Sequence, residues 1–551
     1  MNFTPVKDRP FASPFFKSLG LTLCLFLTGL LFLRPYFQTA DDAFFVLILK
    51  GIGFSDRPCE FLIFTNILVG LILKTLYAWI PQVAWYCLFL FSVLFLSTLA
   101  FGWILFSKVK NALFLLLMMA IFIPLFLHYY ALPTYTESAF WAAQSGLLLL
   151  VFLPHPKEAR ALAGSLLVLS SLIRFNAFLL TLPFFLVFWI IDLHEKKGDL
   201  KGLKTFFLSV GLLVLAGYSF DLFYYRMNPA WRQAREYAED YNRLVEYKMA
   251  DYKKDQKLFE SFGWSPADLD EFQEWDWLGK KFGPETVRAL SQQAGYDWTA
   301  KIKSWEGLKT RFLYVQIFLF LIWAAIAIRR RSAILFLILN TLAVFSILLV
   351  LVLLMKLVPR VFYPLMFYWN LSNALSVASH RPDGPGIPQV KWAGAWGLTF
   401  ILASVLVFFS FTAKIFHENH LSREKSVRFS RFLDSLPLQK DDLLVIGYGG
   451  FAIQDLPAFD PFDSFGRFQF FVLAWMQRSP LVQGTLERFH LADPLGDIVD
   501  RKDIFISFYN QDPVYQRYLK ETYNLSVETN PFQVEPDYSL YRMVSKRPPN
   551  L

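Results

Sequence analysis

The sequence predicts a mainly α-helical, polytopic membrane protein of about 11 transmembrane helices, with a helical external loop and a small C-terminal α/β domain. Three observations carry this. Of 551 residues, 55% are hydrophobic and 18% aromatic, 60 are Phe, and the mean hydropathy is +0.38. Many apolar runs approach the roughly 20 residues that cross a bilayer. Basic residues return in alternate short connections between those runs, as the positive-inside bias requires.

In chain order the predicted spans are 18–36, 83–106, 112–129, 137–153, 159–173, 175–193, 205–222, 311–328, 333–355, 361–378 and 393–411. The first follows Lys7, Arg9 and Lys17, like a signal peptide. It is longer than the roughly 7–15 apolar residues of a signal core, and Gln38-Thr39-Ala40 is a poor cleavage site, so it reads as a membrane helix. With the N-terminus inside, the inner connections hold Lys108 and Lys110; Lys157 and Arg160; Lys196, Lys197, Lys201 and Lys204; Arg329, Arg330 and Arg331; and Arg381 and Lys391. Every inner connection is basic, and the C-terminus falls outside. Phe61–Tyr77 is apolar enough to span, but a span there would reverse every later loop. It reads as an interfacial or re-entrant helix on the outer surface.

Four regions follow. Residues 1–222 form an N-terminal membrane core, 223–310 an external helical domain, 311–411 the last membrane helices, and 412–551 the α/β domain. In the external region "RQAREYAEDYNRLVEYKMADYKK" is charged and helical, and Ser265-Pro266 is an N-cap and first-turn pair. Its many Tyr and Trp suit either sugar stacking or core packing. The C-terminal region has strand-like "LLVIGYGG", "DIFISFY" and "YSLYRMV" between helical stretches. "IGYGG" lacks the context of a phosphate loop and reads as a turn.

The net charge of +9 is scattered through loops, which argues against nucleic acid as a partner. Cys24, Cys59 and Cys87 form no disulfide framework, the 7 His are scattered, and no Ser-His-Asp arrangement is visible.

The polar residues at the outer ends of the spans are the candidates for function. Asp41 and Asp42 follow the first span, Glu137 opens the fourth, and Arg174 lies between the fifth and sixth. Arg360, with Lys356 nearby, lies between the ninth and tenth, and Arg57 sits in "SDRPCEF". Each has a plain alternative: an interfacial acid, an acid favoured by a helix dipole, a structural ion pair or a snorkelling cation. Charges are costly at such depth and tend to mark sites. A carboxylate can deprotonate an acceptor, and arginines can hold a phosphate by charge-assisted bonds. Together they suit transfer of a group from a phosphate-linked lipid.

Those residues, in that order, resemble the GT-C superfamily of integral membrane glycosyltransferases, which use polyprenyl-phosphate sugars. Bacterial aminoarabinose transferases and protein O-mannosyltransferases are the comparisons, with bacterial membrane proteins sharing "DDAFFVLILKG…EFLIFTNILVGLILKTLY". The resemblance covers about residues 15–410. It rests on the acidic pair opening a surface helix at about 41–50, the second acid Glu137, the cation Arg174, and Arg360-Val361-Phe362-Tyr363-Pro364. Arg57-Pro58 matches loosely, because Cys59 replaces a proline.

The resemblance implies a bacterial inner-membrane glycosyltransferase acting on the outer face, on an envelope glycan, lipid or protein acceptor. It implies Asp41 as base, Asp42 and Glu137 as supporting acids, and Arg174, Arg360, Lys356 and Arg57 at the donor phosphate. Family members work with or without a divalent metal cation, which Asp41 and Asp42 would hold. A lipid or polysaccharide transporter (a flippase) and a non-catalytic scaffold of envelope polysaccharide assembly are the alternatives. A flippase predicts polar residues near the midplane and paired internal repeats.

Overall fold

A computed structural model of the chain describes residues 13–53, 57–195, 200–274, 276–306, 311–328, 331–379, 395–447, 453–460, 462–473, 475–507, 513–534 and 539–546. The first part runs through α1 (Pro14–Leu31), α2 (Ala40–Lys50), α3 (Ile67–Trp79), α4 (Trp85–Lys108) and α5 (Ala112–Ala131). It continues through α6 (Tyr135–Phe152), α7 (Lys157–Ile173), α8 (Phe175–Leu179), α9 (Leu182–Glu195) and α10 (Leu200–Met227). Among the described residues five helices are long and apolar enough to cross a membrane: Pro14–Leu31, Trp85–Lys108, Phe114–Ala131, Thr205–Met227 and, later, Ala333–Leu354.

The other expected spans are helical where they are described, but none counts among those five. Helix α6 packs against α4 and α7 and is buried along nearly its whole length. It therefore carries Glu137, Gln144 and Ser145 where lipid would reject them. A Cβ on Gly146 would lie 2.9 Å from the Ala163 carbonyl oxygen, so a larger residue would push α6 and α7 apart. The expected span 175–193 is broken between α8 and α9. Phe61–Tyr77 is helical only from Ile67, and α3 has 13 residues, too few to cross a bilayer.

The described part of 223–310 is helical as expected, with α11 (Pro229–Tyr241), α12 (Gln256–Ser261), α13 (Pro266–Gln273), α14 (Pro284–Gln293) and α15 (Trp298–Glu306). A π-helical turn at Asn242–Tyr247 follows α11. Ser265 caps α13 in a reciprocal box with Asp268. Tyr237, Tyr241, Trp264 and Trp277 are buried, so the aromatics form the domain's core. Lys301 Nζ donates to the carbonyls of Tyr247 (2.5 Å) and Met355 (2.8 Å), which stitches this domain to the end of a later membrane helix.

That helix belongs to the last set: α16 (Arg311–Ala327), α17 (Arg331–Leu354), α18 (Pro359–Ser379) and α19 (Ala395–Ser435). Amides cross-link the first three. Asn340 Nδ2 donates to Asn373 Oδ1 (2.7 Å), and Asn370 Nδ2 donates to Gln316 Oε1 (2.7 Å). The sequence reading passed over these residues. Lys196, Lys197, Arg329, Arg330, Arg381 and Lys391, used to orient the chain, lie outside the described residues.

The C-terminal domain holds a five-stranded sheet in the order β2-β1-β3-β5-β4, formed by β1 (Leu443–Ile446), β2 (Gln469–Val472), β3 (Ile504–Ser507), β4 (Val527–Val534) and β5 (Ser539–Ser545). Its centre is parallel, with Val445 beside Phe471 and Ile506, and its far edge is antiparallel. The helices α20 (Pro480–Arg488), α21 (Pro494–Asp497) and α22 (Pro513–Tyr523) connect it. Three strands were legible; β2 and β4 were not. Tyr448–Gly450 lie outside the described residues.

Candidate active site

The acidic pair opens α2. Thr39 supplies the extended N-cap backbone, and Asp41 and Asp42 sit in the first turn, where the helix dipole favours negative charge. Gly51 ends the helix at φ +69°. A Cβ there would lie 2.4 Å from the Arg57 carbonyl carbon, so only glycine fits. Ala43 to Leu49 are all buried. Helix α2 is thus not the surface helix expected; it lies between the membrane bundle and the C-terminal domain.

The two acids diverge, because neighbours on an α-helix point about 100° apart. Asp42 faces inward and is fully buried. Its Oδ1 accepts from Tyr86 Oη (2.6 Å) and the Tyr135 N–H (3.0 Å), and its Oδ2 accepts from Thr39 Oγ1 (2.7 Å). Burial pushes its carboxyl up to about 6, against the pull of those hydrogen bonds. Asp41 faces outward, with a side chain 23% exposed. Its Oδ1 accepts from Trp475 Nε1 (3.0 Å), and Arg360 Nη1 lies 3.6 Å from its Oδ2.

The remaining candidates arrive from the ends of other helices. Glu137 is in the first turn of α6; Gln38 Nε2 donates to its Oε1 (3.4 Å), and its Oε2 is buried without a partner among the described residues. Arg360 follows Pro359 at the start of α18, where the helix dipole disfavours a cation. The acids beside it offset that cost. Arg174 is an extended residue (φ −153°, ψ 100°) that ends α7 and begins α8. It donates to Tyr135 Oη and lies 5.8 Å from the Phe64 ring centre. Tyr135 therefore joins the two halves, with its N–H on Asp42 and its hydroxyl on Arg174.

Two candidates do not join them. Lys356 pairs with Glu246 of the π-helical turn. Arg57 is exposed and lies against Gly51, ten residues along α2 from Asp41, a distance of about 15 Å on a helix.

Beside Arg174 is a cavity of about 280 Å³, lined by Phe64, Asn66, Arg174, Asp221, Arg235 and Tyr247. Arg235 pairs with Asp221 at 2.7 Å, and the other Asp221 oxygen accepts from the Ile67 N–H that opens α3. The cavity thus has a second arginine that the sequence reading missed. It missed Tyr86, Tyr135 and Trp475 as well; ordinary aromatics carry no motif.

Among the described residues no group of three or more His, Cys, Asp or Glu is placed to hold a metal ion. The acidic pair does not suit a resident divalent cation. Asp42 spends both oxygens on three donors inside the protein, and Asp41 faces a guanidinium. No protein-family model, characterised relative or solved structure matches the chain.

Proposed function

We propose that the protein is a membrane glycosyltransferase of the GT-C type, moving a sugar from a polyprenyl-phosphate donor to an acceptor of the cell envelope. The observation that carries this reading is the convergence of Asp41, Asp42, Glu137, Arg174 and Arg360 around Tyr135, beside a cavity with two arginines. These residues come from the ends of α2, α6, α7 and α18, which share one end of the bundle.

Asp41 is the base. It is the acid that faces outward, with Arg360 Nη1 3.6 Å from its Oδ2. It takes the proton of the acceptor hydroxyl as that oxygen attacks the anomeric carbon. The sugar–phosphate bond breaks on the opposite face, and the lipid phosphate leaves with the bonding electrons. Arg174 is aimed at the departing phosphate, where negative charge grows. Asp42 fixes Tyr135 and the start of α2, so its role is positioning. Glu137 has a free buried oxygen for an acceptor hydroxyl. No step is assigned to a metal, to Arg57 or to Lys356.

The reading extends to topology. Counted in order, α1, α4, α5, α6, α7, α8 with α9, α10, α16, α17, α18 and α19 give the expected alternation across a bacterial inner membrane. The site and the C-terminal domain then lie on the outer face. The amides of α16–α18 supply the polar residues a flippase would need, but they are turned chiefly on one another. Purified protein offered polyprenyl-phosphate sugars separates the two. A transferase releases lipid phosphate, whereas a flippase moves intact donor across a vesicle.

A further inference from the structure

The turn after β2 connects two places that nothing in the sequence linked. Trp475 reaches Asp41, 434 residues away in the chain, and its ring lies 5.6 Å from that of Phe45 and 5.0 Å from that of Phe64. Phe64 in turn lines the cavity beside Arg174. Two residues on, Gln477 Oε1 accepts from the Trp277 N–H (2.8 Å). Arg478 Nη2 donates to the Phe282 carbonyl (3.0 Å), with the guanidinium 5.4 Å from the Tyr237 ring centre. One turn therefore touches the candidate base and the external helical domain together.

Between that domain and α20 lies a cleft of about 620 Å³, lined by Gln233, Tyr237, Gln477, Arg478, Gln483 and His490 among others. This is within the range of roughly 300–1,000 Å³ typical of ligand sites. Its chemistry is that of a hydroxyl-binding surface. Three side-chain amides can both donate and accept, and Arg478 Nε is buried without a partner among the described residues. Glu487 shares the lining with Arg478, which tells against a simple anion, and the apolar walls, Leu278, Leu486 and Leu491 among them, are interrupted by the amides, which tells against a lipid chain. Residues 475 and 478 are three apart, a reach of at most about 10 Å.

We propose that the C-terminal domain supplies the acceptor subsite: the cleft takes a hydroxyl-rich glycan, and Trp475 presents the glycan's end to Asp41. This rests on the glycosyl-transfer reading and narrows its acceptor to a glycan. In the structure the Trp475 indole N–H occupies Asp41 Oδ1. The acceptor hydroxyl takes its place there, while the ring remains beside the sugar.

The test is binding of the intact, detergent-purified chain to an array of immobilised oligosaccharides, with peptide and lipid spots alongside. The expected result is binding to a subset of glycans, kept by Asp41→Asn and cut at least tenfold in Gln233→Ala/Gln483→Ala; about 1.4 kcal/mol corresponds to that factor. Both of the latter side chains are exposed, so the double variant should fold. Trp475→Ala, which removes the ring that presents the glycan's end, should cut transfer to glycan while the cleft still binds it, and transfer unchanged in that variant would overturn the role given to Trp475. Binding to peptide or lipid spots in place of glycans, no glycan binding, or equal binding by the double variant would overturn the proposal. Transfer that survives Asp41→Asn would defeat the assignment of Asp41 as base, and native protein that releases no lipid phosphate from the donor would defeat the transferase reading; either leaves the binding result intact.

Discussion

Two polar clusters inside this apolar chain invite comparison. The amide cluster of α16–α18 is neutral, and its side chains mostly meet one another, Asn340 with Asn373 and Asn370 with Gln316, leaving Asn370 Oδ1 and Asn373 Nδ2 without a partner among the described residues. Such bonds between membrane helices hold them in register. The charged cluster around Tyr135 is built differently. Among the described residues Arg174 has a tyrosine for a partner instead of an acid, Glu137 has a buried oxygen without a partner, and Asp41 is held by two groups at its exposed side. Charges left so incompletely paired cost stability, and a site for a charged ligand explains why they are kept. Substitutions should therefore affect turnover in one cluster and stability in the other.

The largest expected effect is at Asp41. Asp41→Asn should lower transfer by about 10³-fold, within the range for loss of a general base, while the folded protein persists in detergent by size-exclusion chromatography. Arg174→Ala should come next. Loss of a charge-assisted bond to phosphate predicts a 10- to 100-fold fall in kcat/KM for the donor, on the order of 1.5–3 kcal/mol. Arg57→Ala, at the far end of α2, should leave donor kinetics unchanged.

Asp42→Asn sharpens the comparison through pH. Burial raises the native carboxyl to about 6, above the unfolded value of 3.8. Between those values the native state holds a proton that the unfolded state has released. Asp42 therefore makes stability fall as pH rises from about 4 to 6, by up to about 3 kcal/mol. Asn still accepts from Tyr86 and Tyr135, so the variant should unfold at nearly the same temperature at pH 4 and should gain on the native protein by pH 7. Thermal unfolding across that range reads the difference. The smallest effect is expected at Asn340→Ala, about 1 kcal/mol of stability with unchanged kcat; a large loss of turnover there would erase the distinction between the clusters.

Much of the charged cluster was legible because charges stand out against apolar sequence. Asp41, Asp42, Glu137, Arg174 and Arg360 all come to one place for that reason. What separates Asp41 from Asp42 was not legible: the two are adjacent, and the phase of α2 alone decides which faces the interior. The burial of α2 had a signal, since "AFFVLIL" is apolar on every side, and a helix apolar all round is enclosed. Against the expected count of about 11 spans, five helices among the described residues are long and apolar enough to cross; α6, sheathed by its neighbours, carries polar residues that keep it out of that set. Trp475 and Arg235 come from the two regions outside the bundle. Their approach depends on how those domains dock, as where the Ala458 N–H donates to the Pro35 carbonyl at 2.7 Å. Local sequence patterns do not record such docking.

The central claim is chemical, and one measurement addresses it most directly. Native protein and Asp41→Asn, each in liposomes with polyprenyl-phosphate sugars and envelope glycan, would be followed for release of free polyprenyl phosphate. The account predicts release coupled to glycosylated product by the native protein, and its loss in the variant. Equal release by both, or donor crossing the bilayer intact with no release from either, would contradict it.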